Sequence, residues 1–278
     1  MASFNFALLI LGTFLVSVSS QSAPRPVVLY AEYPVNSNCG GVLTSEYSAI
    51  AYKTDVNVSS NERCVWTIST PSALGYTLDV LSLGLQLQTG QTGITATCLS
   101  RTTTALTSVS INGTGGVNLL FSCNTLILTF FSGSSSPSRG FILMYKASRG
   151  SVSISSASKH YLVAGSQQPH IRYPLSAEAN YTNNELSTFV FPPPSNLYST
   201  SRKTLVAYAR NRLEGTGCAD IIRLYRFSPS TAWTHTTNLC GSTESAQWTN
   251  NDAMLAVFRS DGSIVNRGFH IARTDLPL

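Results

Sequence analysis

The most constraining feature of this sequence is a loop that occurs twice. Residues 130–141 read FFSGSSSPSRGF and residues 258–269 read FRSDGSIVNRGF, so two phenylalanines stand eleven positions apart in both copies. A repeat at this distance in a chain of 278 residues favours two domains of similar size. Gly133 of the first copy is replaced by Asp261 in the second. The loop is therefore architectural, and the aspartate is an addition to it.

The ordered-looking segments on either side of the loops have the composition of strands. Examples are CVWTI at 64–68, TLILTFF at 125–131 and MLAVFRS at 254–260, each rich in β-branched or aromatic residues. Gly, Ser, Asn and Pro bound them, and no 3.6-residue periodicity occurs after the first 20 residues. We predict an all-β chain in which each half is a sandwich of two antiparallel sheets.

The first residues predict the compartment. Residues 4–18 form an uncharged apolar run followed by small residues, which is typical of a secretory signal peptide over residues 1–20. Nothing later reaches the 18 or so apolar residues that a membrane span requires, so no span is expected. We expect a secreted, extracellular protein.

The polar surface depends on Ser and Thr, because charged residues make up only 11% of the chain against about 25% in typical soluble proteins. The net charge of +5 is too small to suggest a nucleic-acid partner. Asn-X-Ser/Thr sequons at Asn57, Asn112 and Asn180 predict glycosylation. The alternative for each is an unmodified turn asparagine.

Several motifs of the first half occur in a fixed order. Cys39 begins Cys-Gly-Gly, Cys64 begins the strand CVWTI, and residues 140–145 close with GFILMY. In the second half YP occurs at 173–174 and Cys218 begins CADII. Together these motifs resemble the CUB domain, an extracellular β-sandwich, in both halves of the chain.

The resemblance implies tandem β-sandwiches of the CUB-like jelly-roll type. We place the first domain at 39–147 and the second at 161–275. Residues 21–38 form an N-terminal lead-in, and the Ser-rich segment 148–160 is the linker.

An even number of cysteines in an oxidising compartment predicts disulfides rather than a zinc site. Ser187 stands where the family's second cysteine is expected, so the second domain lacks the first disulfide and should be the less stable one. The register of the second bridge in the first domain stays open. The resemblance implies that neighbouring cysteines pair, which gives Cys39 with Cys64, Cys98 with Cys123, and Cys218 with Cys240.

Many CUB domains bind calcium through three acidic residues near the third cysteine and in the repeated loop. Glu214, Asp220 and Asp261 match those places, and carboxylates suit Ca²⁺, which takes six to eight oxygen ligands. One residue is missing between Cys218 and Asp220 relative to the family pattern. The same three residues therefore also fit solvated turn carboxylates.

In the first domain the corresponding places lack the acidic residues. They hold Gln or Thr within residues 86–92, Ser100 or Arg101, and Gly133. Calcium is expected only in the second domain.

The sequence shows no catalytic signature, since GxSxG, HExxH and phosphate-binding glycine motifs are all missing. We therefore expect a non-enzyme. Trp66 and Phe189 stand at matching positions and are expected to anchor the two cores.

The resemblance implies extracellular protein–protein recognition without catalysis. One alternative is binding of carbohydrate or sulfated glycans through Arg210 and Arg212, with Arg223 and Arg226 nearby in the sequence. Another alternative is a non-catalytic accessory of a CUB-bearing protease.

Overall fold

The computed structural model describes residues 33–84, 92–102, 106–111, 116–134, 138–150, 155–163, 170–174, 179–193, 203–214, 217–242, 245–250 and 252–277. The predicted signal peptide and the sequon at Asn112 lie outside these ranges. Within them the regular structure is β-strand, and no helix is long and apolar enough to cross a membrane.

The described residues form nineteen strands. In chain order they are β1 (Val35–Asn36), β2 (Gly41–Leu43), β3 (Tyr47–Asn57), β4 (Arg63–Ile68), β5 (Ala73–Leu83), β6 (Gly93–Leu99), β7 (Thr107–Ile111), β8 (Val117–Phe121), β9 (Thr125–Phe131), β10 (Arg139–Arg149), β11 (His160–Leu162), β12 (His170–Tyr173), β13 (Leu186–Phe191), β14 (Lys203–Arg212), β15 (Ile221–Ser228), β16 (Ala232–Leu239), β17 (Ser245–Asn250), β18 (Met254–Arg259) and β19 (Gly268–Pro277).

The strands form four sheets that make two sandwiches. Sheet 1 has the order β1-β3-β10-β5-β8 and sheet 2 the order β2-β4-β9-β6-β7, and these two enclose the first core. Sheet 3, β11-β13-β18-β15-β16, and sheet 4, β12-β19-β14-β17, enclose the second core. The prediction of an all-β chain with two sandwiches is confirmed. The pairing is antiparallel except for the edge pairs β1–β3, β2–β4 and β11–β13, which are parallel.

A third apolar cluster joins the two sandwiches through sheets 2 and 3. Every residue of β4, β9 and β13 is buried, because one face of each strand packs in its own sandwich and the other face packs against the neighbouring sandwich. The interface cluster comprises Val65, Leu99, Ile127 and Phe131 from sheet 2, and Leu186, Val190, Tyr225, Phe227, Trp233, Ala253, Leu255 and Val257.

The repeated loop connects equivalent strands, β9 to β10 and β18 to β19. Phe130 and Phe141 at its ends pack with their rings 5.4 Å apart, and Phe258 and Phe269 pack with theirs 5.2 Å apart. All four rings are buried in the cores of their sandwiches. The eleven-residue spacing is therefore required by packing in both copies.

The two predicted core anchors lie at the same point of the two sandwiches. Trp66 and Phe189 are fully buried on β4 and β13, and each belongs to the core between the two sheets of its own sandwich. The indole N–H of Trp66 donates to the carbonyl of Asn38 at 3.1 Å, so its polar atom is satisfied. Both predictions are confirmed.

The three predicted disulfides are formed. Cys98 lies near the end of β6 and Cys123 lies just before β9, whereas Cys218 precedes β15 and Cys240 follows β16. The Cys98–Cys123 bridge therefore lies at the opposite end of its sheet from the place that Cys218–Cys240 has in sheet 3. This settles the position of the second bridge of the first domain, which the sequence left open.

Hydrogen bonds replace the missing disulfide of the second sandwich. β2 pairs with β4 and β11 pairs with β13 in the same register, which makes Lys159 the counterpart of Cys39. The backbone N–H of Lys159 donates to the Ser187 hydroxyl at 2.9 Å, and the Lys159 carbonyl accepts from Thr188 N–H at 3.0 Å. The positions are held together without a covalent bond.

The strands reach into both ends of the segment 148–160 that the sequence assigns to the linker. The first sandwich ends with β10 at Arg149, and the second begins with β11 at His160. β1 lies before residue 39, so a part of the predicted lead-in pairs with β3 of the first sandwich.

Candidate metal centre

The repeated loop is held by one serine in each copy. The hydroxyl of Ser132 accepts a bond from the Glu62 N–H at 2.7 Å, and the hydroxyl of Ser260 accepts one from the Glu185 N–H at 2.9 Å. Both glutamates directly precede the second strand of their sheet. The two loops are thus positioned by the same contact, which confirms that the loop is architectural.

Three acidic side chains converge beside the second copy of the loop. Glu214 follows β14, Asp220 precedes β15, and Asp261 follows β18, so three separate connections bring them together. Their ligand oxygens all lie within 4.8 Å of one another. Glu214 and Asp220 are buried and Asp261 is partly exposed, so solvent can reach the cluster from the side of Asp261.

Hydrogen bonds orient the carboxylates. Asp220 accepts from the Asp261 N–H at 2.8 Å and from the Tyr181 hydroxyl. Asp261 accepts from the Ser263 N–H at 2.7 Å and from the Ser263 hydroxyl at 2.8 and 3.0 Å. Burial raises the pKa of Tyr181, and the hydrogen bond to Asp220 raises it further, so the phenol stays a donor. These contacts hold two carboxylates in place before any ligand binds.

The donor set fits a hard divalent cation. It consists of carboxylate oxygens, the ligands that Ca²⁺ and Mg²⁺ prefer. Three like charges within 4.8 Å repel one another, and the burial of Glu214 and Asp220 makes that repulsion costly. A cation bound between the three carboxylates would offset this repulsion. Glu214, Asp220 and Asp261 are the residues that would hold such an ion.

Tyr181 is not among the residues that the sequence predicts for this centre. The available signal was the motif Tyr-Thr-Asn-Asn, which begins at Tyr181 and places the tyrosine at a fixed distance before β13. A phenol that donates to a buried carboxylate is visible only once Asp220 is placed beside it.

The first sandwich has an uncharged counterpart of the centre. Thr92 accepts a hydrogen bond from the Gly133 N–H at 3.0 Å, as Asp220 accepts one from the Asp261 N–H. Thr92 is therefore the equivalent of Asp220. A hydroxyl and a glycine stand where the second sandwich has two carboxylates.

The assignment of Ser100 or Arg101 to this place is wrong, because these residues contact the other sandwich. The Arg101 guanidinium donates to the carbonyl of Ser260 at 3.1 Å and to the side chain of Asn184. The Ser100 carbonyl accepts from the Arg259 guanidinium at 2.7 Å. The first sandwich thus buttresses the loop that carries Asp261.

The two described sequons occupy equivalent positions. Residues 57–62 read NVSSNE and residues 180–185 read NYTNNE, each directly before the second strand of its sheet. Asn57 and Asn180 are both exposed and are accessible for modification.

The arginines named as a glycan-binding alternative are distributed over two sheets. Arg210 and Arg212 belong to β14 in sheet 4, whereas Arg223 and Arg226 belong to β15 in sheet 3. Their proximity in the sequence does not place them in one layer.

No family model and no curated protein match the chain. Among solved structures, the CUB1-EGF-CUB2 domain of human MASP-1/3 matches at 13% identity and a TM-score of 0.34, over 84% of this chain and 100% of that one. The CUB1-EGF-CUB2 domains of rat MASP-1 match at 13% identity and a TM-score of 0.32, over 84% and 99%. The full extracellular region of zebrafish Gpr126/Adgrg6 matches at 14% identity and a TM-score of 0.34, over 84% of this chain and 36% of that one. Solved structures of CUB domains are among those to which this chain is similar.

Proposed function

We propose that this protein is a secreted, non-catalytic binding protein of two tandem CUB-like domains that recognises another extracellular protein, with a calcium-organised surface on the second domain. The observation that carries the proposal is the convergence of Glu214, Asp220 and Asp261 at one end of the second sandwich. The motifs that resemble the CUB family occur in both halves of the chain.

Calcium would act here as a structural ion. It would tie together the connections that carry Glu214, Asp220 and Asp261, and the partly exposed side of the cluster would face a partner. A rigid, preorganised surface loses less conformational entropy when a partner binds. The ion therefore supports recognition and is not assigned a catalytic role.

The extracellular assignment is supported by the covalent structure. All six cysteines form disulfides, which persist in oxidising compartments and are rare in the cytosol. Together with the predicted signal peptide, this supports secretion with a mature N-terminus at Gln21. Sequencing of the N-terminus of the protein from culture medium would test that cleavage site.

The first experiment is calorimetric titration of calcium into the metal-stripped mature protein. We expect one site with micromolar to millimolar affinity, lost in Asp261→Ala. The matched control is Asp55→Ala, which removes an exposed aspartate of the first sandwich and should bind calcium like the wild type. An absence of binding in the wild type would make the cluster a set of turn carboxylates and would overturn the calcium part of the proposal.

The non-catalytic part has its own test. Hydrolytic activity in the purified protein that disappears on substitution of a single serine or histidine would contradict it. We expect no such activity, with peptide and ester substrates both included in the assay.

A further inference from the structure

A buried glutamate precedes the second strand of sheets 2 and 3. Glu62 is 6% exposed and Glu185 is 1% exposed. A tyrosine hydroxyl donates to each of them: Tyr52 to Glu62 at 2.6 Å, and Tyr173 to Glu185. The two carboxylates occupy equivalent places in the repeat, so their other contacts can be compared directly.

In the first sandwich the carboxylate of Glu62 is paired with an ammonium group. The Nζ atom of Lys53 lies 2.8 and 3.0 Å from its two oxygens and 5.7 Å from the centre of the Tyr52 ring. The Ser59 N–H also donates to Glu62 at 3.0 Å. With the tyrosine, these contacts use all of the roughly four acceptor sites of a carboxylate. The buried charge of Glu62 is therefore both hydrogen-bonded and neutralised.

In the second sandwich the ammonium group is replaced. Pro174 directly follows the donor tyrosine, in the place where the first sandwich has Lys53. Glu185 accepts from the N–H and the hydroxyl of Thr182, both at 2.6 Å, and from Tyr173. One of about four acceptor sites remains. Within the described part of the chain, no lysine, arginine or histidine forms an ion pair with Glu185.

An open cavity of about 220 Å³ lies beside this carboxylate. Glu185 contributes to its wall together with the rings of Tyr161 and Tyr173 and the apolar surface of Pro174. Aromatic faces and a carboxylate attract a cation, and an apolar wall accommodates an alkyl stem. A carboxylate and one aromatic ring, those of Glu62 and Tyr52, likewise contact the Lys53 ammonium group in the first sandwich.

We propose that the cavity beside Glu185 binds a primary ammonium group on an alkyl stem, the chemistry that Lys53 supplies internally in the first sandwich. The expected source is a lysine side chain of a partner protein, and a free alkylamine is the other source of the same chemistry. The site is separate from the cluster of Glu214, Asp220 and Asp261. It does not require that cluster to hold a cation.

Two groups at the rim of the cavity could fill it in place of an external ligand. Lys159 contributes to the wall and is exposed, so its own ammonium group is the nearest competitor within the chain. Asn180 also contributes to the wall, so a glycan attached there would stand at the mouth. The experiment must distinguish both from an external ligand.

The test is an NMR titration of the mature protein with three probes. Nα-acetyl-lysine-N-methylamide carries the side chain on a peptide unit, pentylamine is the free amine, and the Nε-acetylated form of the first probe is neutral. We expect both ammonium probes to bind at up to about 10 mM, where a ligand of millimolar affinity is mostly bound. The neutral probe should not bind. Binding of the lysine probe at least as tight as that of pentylamine supports a protein source, and tighter pentylamine binding supports a free amine.

Variants assign the binding to the cavity. Glu185→Gln should weaken it at least about tenfold, because a charge-assisted hydrogen bond is lost. Glu62→Gln is the matched control in the first sandwich and should leave the affinity unchanged. If Glu185→Gln does not fold, Tyr161→Leu keeps the apolar wall, removes the aromatic face and should weaken binding several-fold. The affinities should be the same in calcium and in chelator.

Three outcomes would overturn the proposal. The first is equal binding of the charged and neutral probes, or no binding of either ammonium probe. The second is binding to Lys159→Met but not to the wild type, which would make Lys159 the occupant. The third is binding to Asn180→Gln but not to the glycosylated protein, which would assign the cavity to the glycan.

Discussion

The Nε atom of Arg63 in the first sandwich lies 2.8 Å from Oδ2 of Asp252 in the second, and both side chains are buried. Arg63 also donates to the carbonyls of Glu62 and Ser132 at 2.9 and 2.8 Å. Burial raises the pKa of Asp252, and the hydrogen bond from Arg63 opposes that rise. The ion pair therefore links the first residue of β4 in sheet 2 to the segment before β18 and ties the two sandwiches together.

Removing one partner of this pair should destabilise the protein strongly. Asp252→Ala leaves the Arg63 guanidinium buried beside an alanine, and the expected loss is about 3 kcal/mol in the free energy of unfolding, the lower end of the range for broken buried pairs. The lower end applies because Arg63 keeps its bonds to two carbonyls. Urea unfolding monitored by tryptophan fluorescence measures the change.

The control for Asp252→Ala is an exposed ion pair. Arg149 contacts Glu46 with 74% and 46% of their side chains exposed, so Glu46→Ala should cost less than about 1 kcal/mol. Equal effects of the two substitutions would show that Asp252 is solvated in solution and that the sandwiches do not meet there.

Trp233 should carry much of the packing between the sandwiches. Its indole N–H donates to the Thr129 hydroxyl across the interface at 3.2 Å, and its ring packs 5.3 Å from Phe227. Trp233→Ala should cost about 3–5 kcal/mol in the free energy of unfolding, as for other buried tryptophans. Trp233→Phe keeps most of the packing and should cost less. A cost below about 1 kcal/mol for the alanine variant would contradict the interface.

The features that are local in sequence could be predicted from it. The loop spacing follows from a motif that occurs in both halves, and the family resemblance implies the disulfide pairs and the three acidic residues that the structure brings together. Asp220 lies beside Glu214 and Asp261 in spite of the missing residue after Cys218, because β15 begins directly after it and fixes its position.

The interface could not be predicted in the same way, because it depends on which surface covers the outer face of a sheet. Trp66 packs into its own sandwich and Val65 packs against the other one, and both read simply as apolar residues of one strand. A strand without alternation is typical of burial on both faces. Arg63 reads as a surface charge until Asp252, 189 residues later in the sequence, is placed beside it.

A disulfide can be transferred from the first sandwich to the second. Lys159 and Ser187 occupy the places of Cys39 and Cys64, since β11–β13 and β2–β4 share one register. The double variant Lys159→Cys, Ser187→Cys should form a bridge and raise the free energy of unfolding by about 2–4 kcal/mol. Thermal unfolding with and without reductant measures the gain. A bridge that forms without a gain would show that the second sandwich is not the first part of the chain to unfold.

The last prediction concerns acid stability and His160. Burial lowers the pKa of His160 to about 4 from an ordinary value of 6.5, and the charge of Lys159 contributes. The unfolded chain binds a proton near pH 6.5 and the folded chain only near pH 4, so the contribution to stability is complete above pH 6.5 and is lost as the pH falls towards 4. The free energy of unfolding should fall by less than about 1.4 kcal/mol per pH unit, because the ring is partly exposed.

His160→Gln, which can still bond Thr188, should therefore lose less stability than the wild type between pH 7 and pH 5 in urea unfolding. His235→Gln, an exposed histidine of β16, should behave like the wild type. Identical pH dependence of the wild type and His160→Gln would show that folding does not lower the pKa of His160.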